Sequence, residues 1–232
     1  MRQIILDTET TGLQTEDGHR IIEIGAIEMI NRKFTGKRYH QYINPERDSD
    51  EGALAVHGIT KEFLQNKPVF AQVAQEFMDF IIDAELIIHN APFDTGFINY
   101  ELKLTKNGWK PLSKYCHVID TLIMARQLHI GQRNSLDALC KRYSVDNSQR
   151  DLHGALLDAH LLAQVYLAMT GGQGSLFEEN QATESAKQET ITLNKMTLQS
   201  RNLIVLMASA EELASHEMKL QAMNEKGKCL WE

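Results

Sequence analysis

Four carboxylates and one imidazole stand out by type and spacing. Asp7 and Glu9 end the run Ile4-Ile5-Leu6-Asp7-Thr8-Glu9, Asp94 closes His89-Asn90-Ala91-Pro92-Phe93-Asp94, and His153 and Asp158 bracket Gly154-Ala155-Leu156-Leu157. On a strand, residues two apart point to the same face, so Asp7 and Glu9 converge. Convergent carboxylates repel unless a cation lies between them, and hard oxygen ligands favour Mg²⁺ or Mn²⁺. A solvated strand end would carry the same pair without a metal. Asp94 follows an apolar strand and a turn, at a helix start. There it suits an N-cap or an outer contact to a metal, and the two roles are compatible. With a helix beginning near Gly154, Asp158 falls just over one turn inside and His153 stays on the loop before it. That spacing aims a fixed carboxylate at a metal and a mobile imidazole at a nearby water, although a histidine near a helix start also suits a structural role.

The elements that must position these groups follow from periodicity. Ile4-Ile5-Leu6, residues 20–30 (RIIEIGAIEMI) and residues 37–43 (KRYHQYI) read as three consecutive strands with short links, an antiparallel meander. The period then changes. Thr60 caps a short helix, and residues 69–82 repeat Phe70, Val73, Ala74, Phe77, Phe80 and Ile81 at helical spacing. Residues 85–90 read as a buried strand, residues 118–120 as a brief one, and residues 93–104, 122–128, 135–143 and 155–169 as helices. A meander followed by strand–helix alternation predicts an α/β fold, a mixed sheet flanked by helices.

Composition bounds the class. The chain has 232 residues, 43% hydrophobic and 24% charged, as in ordinary globular proteins. No apolar run reaches the roughly 20 residues that span a bilayer, and Asp7 interrupts the first apolar run too early for a signal peptide. The expectation is a cytoplasmic protein without a membrane partner. Cys116, Cys140 and Cys229 are odd in number and widely spaced, which argues against a disulfide framework or a zinc site. A net charge of −7 argues against a surface that grips nucleic acid throughout, yet cations held by clustered carboxylates would reverse the field locally.

Composition breaks at Thr170-Gly171-Gly172, dividing the chain into residues 1–170, a linker at 171–200 and a tail at 201–232. Residues 178–200 are rich in Glu, Gln, Ser and Thr, as in flexible linkers. Residues 209–223 read as a capped amphipathic helix with Leu213, Met218, Leu220 and Met223 on one side. So short a segment falls below the roughly 40 residues needed to fold unassisted.

Taken together, D-x-E on a first strand, Asp after a central strand and H-x-x-x-x-D on a late helix resemble the DEDD exonucleases of the histidine-containing subclass. Residues 6–13 (LDTETTGL), 22–26 (IEIGA), 56–59 (VHGI), 134–139 (NSLDAL) and 152–158 (LHGALLD) carry the likeness. Residues 152–172 (LHGALLDAHLLAQVYLAMTGG) and the close Gly227-Lys228-Cys229-Leu230-Trp231 are similar to the epsilon, proofreading subunits of bacterial DNA polymerase III. The resemblance implies a ribonuclease-H-like fold whose first three strands are antiparallel. It implies removal of 3′-terminal deoxynucleotides as 5′-monophosphates by two-metal hydrolysis, with Asp7, Glu9, Asp94 and Asp158 holding two Mg²⁺ or Mn²⁺ ions and His153 as general base. Asp7, Glu9 and Asp158 would meet the substrate through those ions, Thr10 would contact the terminal nucleotide, Leu13 would wedge against the last bases, and His57 would touch substrate. Gly52 stands where that family places a glutamate, so no role carries over there.

The resemblance also implies partners. Gln173, Leu176 and Phe177 in Gln173-Gly174-Ser175-Leu176-Phe177 are similar to peptides that bind the bacterial sliding clamp. Residues 201–232 would bind the polymerase alpha subunit, and a theta-like small subunit would complete the set. Frayed 3′ ends of DNA would be the substrate. An RNA 3′-end exonuclease, a catalytically silent replisome adaptor and a small-molecule metal hydrolase are the competing readings; the first and last leave the tail unexplained.

Overall fold

The computed structural model describes residues 1–150, 152–171 and 208–226. The opening apolar run becomes β1 (Arg2–Thr10), which pairs antiparallel with β2 (Ile21–Ile30); β2 in turn pairs antiparallel with β3 (Lys33–Tyr42). On its other side β1 runs parallel to β4 (Glu85–Ile88), and β4 parallel to β5 (His117–Asp120). The order is β3-β2-β1-β4-β5, a mixed sheet with β1 at its centre and the meander antiparallel as expected.

The helices are α1 (Glu51–His57), α2 (Lys61–Leu64), α3 (Phe70–Ile81), α4 (Ala91–Leu104), α5 (Thr121–Leu128), α6 (Leu136–Arg142) and α7 (Ala155–Thr170). Both faces of the sheet are buried. Ile4, Leu6, Ile24 and Ala26 pack with Phe70, Phe77 and Ile98 of α3 and α4. Ile5, Ile27 and Met29 pack with Leu161, Leu162 and Val165 of α7. The alternation along β1 therefore sends Asp7 and Glu9 toward the face that carries α7.

Boundaries shift where tertiary contacts outweigh local pattern. β3 begins at Lys33, four residues before the apolar alternation, because Asn31 and Arg32 both take positive φ (50° and 65°) and close a tight hairpin. Helix α1 was not expected. Its sequence has no apolar stripe, and it is bounded by Asp50 and by Gly58 at φ 68°, whose N–H reaches the Leu54 carbonyl. Thr60 caps α2 as predicted, its side chain accepting from the Phe63 N–H.

Among residues 208–226 the predicted tail helix forms as α8 (Ala210–Lys226). Ser209 and Glu212 build a reciprocal capping box, with Ser209 N–H donating to Glu212 Oε2 and Glu212 N–H to Ser209 Oγ. The peptide at residues 173–177 and most of the linker lie outside the described residues, as do residues 201–207 and 227–232. No helix among the described residues is long and apolar enough to cross a membrane.

Candidate active site

The carboxylates meet at the carboxyl end of the parallel strands β1, β4 and β5, where open α/β sheets place their ligand sites. A cleft of about 310 Å³ is lined by Asp7, Glu9, Asp94, Asp158 and His153, all five residues singled out by spacing. The register of β1 against β2 shifts between Glu9 and Thr10, an irregularity of the kind that re-aims side chains beside sites.

Two devices bring α7 to the sheet. Gly25 of β2 faces the first turn of α7 so closely that a Cβ there would collide with the backbone of Ala155 and Leu156. Buried Glu23 accepts the Ala155 N–H at 3.2 Å through Oε2, while its Oε1 meets His40 Nε2 at 2.7 Å. A carboxylate at a helix N-terminus favours the helix dipole, so Glu23 both satisfies and anchors the helix start. Asp158 then projects from the first turn, with only 3% of its surface exposed. His153 stays on the loop before the helix, as predicted, and its N–H donates to the Val56 carbonyl at 3.0 Å.

Asp94 corrects one expectation. The helix begins at Ala91, two residues before Phe93, with Asn90 at φ 67° in the capping position. Pro92 explains the earlier start, since its fixed φ suits a first turn. Asp94 is therefore the fourth residue of α4 and does not cap it. Its side chain instead accepts from Thr8 Oγ1 at 2.7 Å, tying α4 to β1 beside Glu9.

The cleft concentrates negative charge. Burial first, then Asp94, Glu9 and Asp158, hold Asp7 well above the usual carboxylate range. Burial and the neighbouring Asp158 and Glu23 push Glu9 up to about 8. Burial pushes Asp94 up to about 7, against the opposing bond from Thr8. Carboxylates so crowded are stabilised by an added cation, and an all-oxygen donor set fits a hard divalent ion. The residues present therefore fit a metal. Glu9, Asp158 and His153 offer ligand atoms that all lie within 4.8 Å of one another.

Arg150 is the residue that spacing did not reveal. Its Nε and Nη2 donate to both oxygens of Asp158 at 2.6 and 2.7 Å, its Nη1 to Asp137 at 2.6 Å, and its Nη2 to Nδ1 of His153 at 3.0 Å. The only sequence signal was a basic residue three positions before His153.

A second cleft of about 470 Å³ adjoins the first, sharing Thr8, Glu9 and Phe93, and is mostly apolar. Thr10, Leu13 and His57 line it together, as does Gly52. Leu13 is 78% exposed at its edge. Thr10 Oγ1 donates to the Gly12 carbonyl at 2.7 Å. His57 Nδ1 accepts the Ile59 N–H at 2.9 Å, and its buried Nε2 has no partner among the described residues. Burial, with His153 nearby, lowers the pKa of His57, which leaves the ring neutral with its proton on the orphan Nε2.

The fold and the acidic cleft are those of a metal-dependent exonuclease: residues 4–166 match the family described as Exonuclease, to which the chain belongs. Solved structures agree. The chain aligns with an exonuclease X in complex with 5′-overhanging duplex DNA (TM-score 0.58, 26% identity, 73% of this chain and 91% of that one). It shares its fold with the nuclease domain of 3′hExo, a DEDDh family member bound to rAMP (TM-score 0.61, 20% identity, 72% and 90%). Within that class the chain is a member of the DNA polymerase III epsilon subunits. It is 52% identical over 235 residues to the one from Salmonella typhimurium, covering 99% of this chain and 97% of the relative. It is 51% identical to those of Escherichia coli K12 (99% and 97%) and Haemophilus influenzae (100% and 94%).

Proposed function

We propose that this chain is the proofreading 3′–5′ exonuclease of a DNA polymerase III, trimming mispaired 3′-terminal deoxynucleotides as 5′-monophosphates. The observation that carries the reading is the meeting of Asp7, Glu9, Asp94, Asp158 and His153 in one cleft that opens into an apolar one. The four carboxylates would hold two divalent ions, Mg²⁺ or Mn²⁺, which when bound supply Lewis-acid activation of the phosphodiester. His153 takes the proton from the attacking water at Nδ1 once that atom is released from Arg150, and Asp158, 3.5 Å from Nδ1, stabilises the imidazolium that results. Arg150 holds Asp158 and His153 in register. The terminal nucleoside occupies the apolar cleft, where the His57 Nε2–H supplies an unspent donor, Thr10 borders the nucleotide and Leu13 stands at the rim as a wedge. A frayed end reaches that cleft more readily when mispaired, which favours removal of errors.

Residues 1–170 form the nuclease domain in this reading. Gln173, Leu176 and Phe177 engage a sliding clamp from the linker at 171–200, residues 201–232 engage the polymerase alpha subunit, and a theta-like subunit completes the set, all in the cytoplasm. The relatives named as polymerase III subunits match over 94–97% of their own length, tail included, which supports this assignment.

The test is a gel time course on a 5′-labelled primer–template, matched or mismatched at its 3′ end, with Mg²⁺ or EDTA. Metal-dependent shortening by single nucleotides, faster from the mismatch, is expected. No shortening with Mg²⁺ or Mn²⁺ would favour a silent adaptor, and selective loss of an RNA strand would favour RNA trimming. One second reading has its own support: the 4.8 Å grouping of His153 with Glu9 and Asp158 also suits His153 as a metal ligand.

A further inference from the structure

A third cleft adjoins the catalytic one on the side of β4 and α5, sharing His89 and Ser135 with it. Arg126, His129, Ile130 and Gln132 line it. We propose that this cleft and the loop at residues 129–134 form a track for the single strand upstream of the bond to be cut; the proposal rests on the exonuclease reading above.

Continuity is the first support. The apolar cleft joins the carboxylate cleft through Thr8, Glu9 and Phe93, and the carboxylate cleft joins the third through His89 and Ser135. A strand whose last nucleoside fills the first and whose scissile phosphate lies over the second leaves naturally along the third.

Charge is the second. The catalytic cleft is lined by five carboxylates and one guanidinium, a surface that repels a phosphodiester chain unless cations intervene. The loop reverses that sign. Arg126 and Arg133 are exposed and make no side-chain ion pair or hydrogen bond among the described residues. Asp120, at the start of α5, is occupied through Oδ1 by the N–H groups of Asn90, Leu122 and Ile123. A free guanidinium lining the cleft beside an acidic site, with a second exposed one at Arg133 on the adjoining loop, fits the phosphates of an entering strand.

Rigidity is the third. Asn134 Nδ2 donates to the carbonyls of His129 (3.4 Å) and Gln132 (3.0 Å), and Arg142 clamps Asn134 Oδ1 at 3.1 Å and the Arg133 carbonyl at 2.9 Å. His129 meets the Tyr143 hydroxyl at 2.8 Å. A loop tied at this many points nonetheless leaves Ile130 85% exposed. An apolar side chain held in solvent on a braced loop, with Arg126 lining the same cleft, suits the face of a base.

The experiment uses the full chain and two kinds of probe. The p-nitrophenyl ester of thymidine 5′-monophosphate reports the terminal site alone. Fluorescence anisotropy of a labelled eight-nucleotide DNA strand in Ca²⁺ reports strand binding without requiring turnover. For Arg126→Ala/Arg133→Ala we expect the strand to bind roughly tenfold more weakly, with the slope of log K against log salt shallower by about 1.4, two lost single-strand phosphate contacts. Ile130→Ser weakens strand binding without changing the slope. Hydrolysis of the ester stays at the level of the unsubstituted chain in both. Unchanged strand affinity and salt slope in the double variant would overturn the track, whether or not the variant then binds the polymerase subunit less well. A chain that binds the strand as described but never cleaves the ester would instead count against the exonuclease reading.

Discussion

Glu101 and Glu9 are both buried glutamates of the same domain, with 1% and 8% of their surface exposed, and their surroundings are opposite in kind. Glu101 on α4 receives Arg20 Nε at 2.8 Å, Arg20 Nη2 at 2.7 Å and the Ile21 N–H at 3.1 Å, a bidentate pair that pins the helix to β2. Glu28 is treated alike. Burial would raise it, but Arg2 and Thr35 hold its carboxyl below the usual range. Glu9 lies among Asp7, Asp94 and Asp158 and is pushed up to about 8. A carboxylate buried for the fold has its counter-charge in the chain, as Asp158 also has in Arg150, whereas Asp7, Glu9 and Asp94 in the acidic cleft have no basic side chain bonded to them among the described residues. That shortage is what a bound cation relieves, and it makes the metal-free site a source of strain.

The sharpest way to break this comparison is Asp7→Asn. Exonuclease activity on a primer–template should disappear while the metal-free protein melts at a higher temperature, because a carboxyl whose charged form burial and its neighbours disfavour is gone. A lower melting temperature would mean the carboxylates are not in conflict. Next, His153→Ala should slow turnover by about 10²–10⁴-fold, the usual contribution of a general base, with Mn²⁺ affinity by calorimetry nearly unchanged. A matching loss of metal affinity would make His153 a ligand.

The paired site should respond in the other direction. Arg20→Met strands Glu101 without its partner and should cost about 3–5 kcal/mol in urea unfolding; adding Glu101→Leu should restore most of it. A neutral result for the single variant would show that the pair is not holding α4.

The last test concerns pH. In the metal-free protein burial pushes Glu9 up to about 8 and Asp94 up to about 7, from ordinary values of 4.5 and 3.8. Between those limits the native state binds more protons than the unfolded chain, so stability falls as pH rises from about 4 to about 8. Melting scans in EDTA should show that decline, and Mn²⁺ should flatten it. A melting temperature that climbs across this window without metal would contradict the crowding.

Much of the site was legible because its signals are local. The period-two placement of Asp7 and Glu9 on an apolar strand, and the one-turn spacing of His153 and Asp158 about a helix start, both survive in the structure. Helix α1 was not legible, since a seven-residue helix burying only His57 leaves no apolar stripe to read. Nor was Arg150: its partners Asp137, His153 and Asp158 lie within 13 residues of it, but its loop has no regular period that would say which way the side chain turns.

By itself the sequence determined the strands, the helices other than α1 and the five groups that line the acidic cleft, because periodicity, caps and short-range spacing are properties of neighbours along the chain, and its motif strings carried the likeness to the family. Only the tertiary structure decided which carboxylates would be neutralised and which left in conflict. Charge balance at a buried site depends on distances of a few ångströms between segments that lie some 80 residues apart, as Arg20 and Glu101 do. The close approach of α7 to β2 at Gly25 was decided in the same way, since the collision that a side chain there would cause is with a helix 130 residues further on.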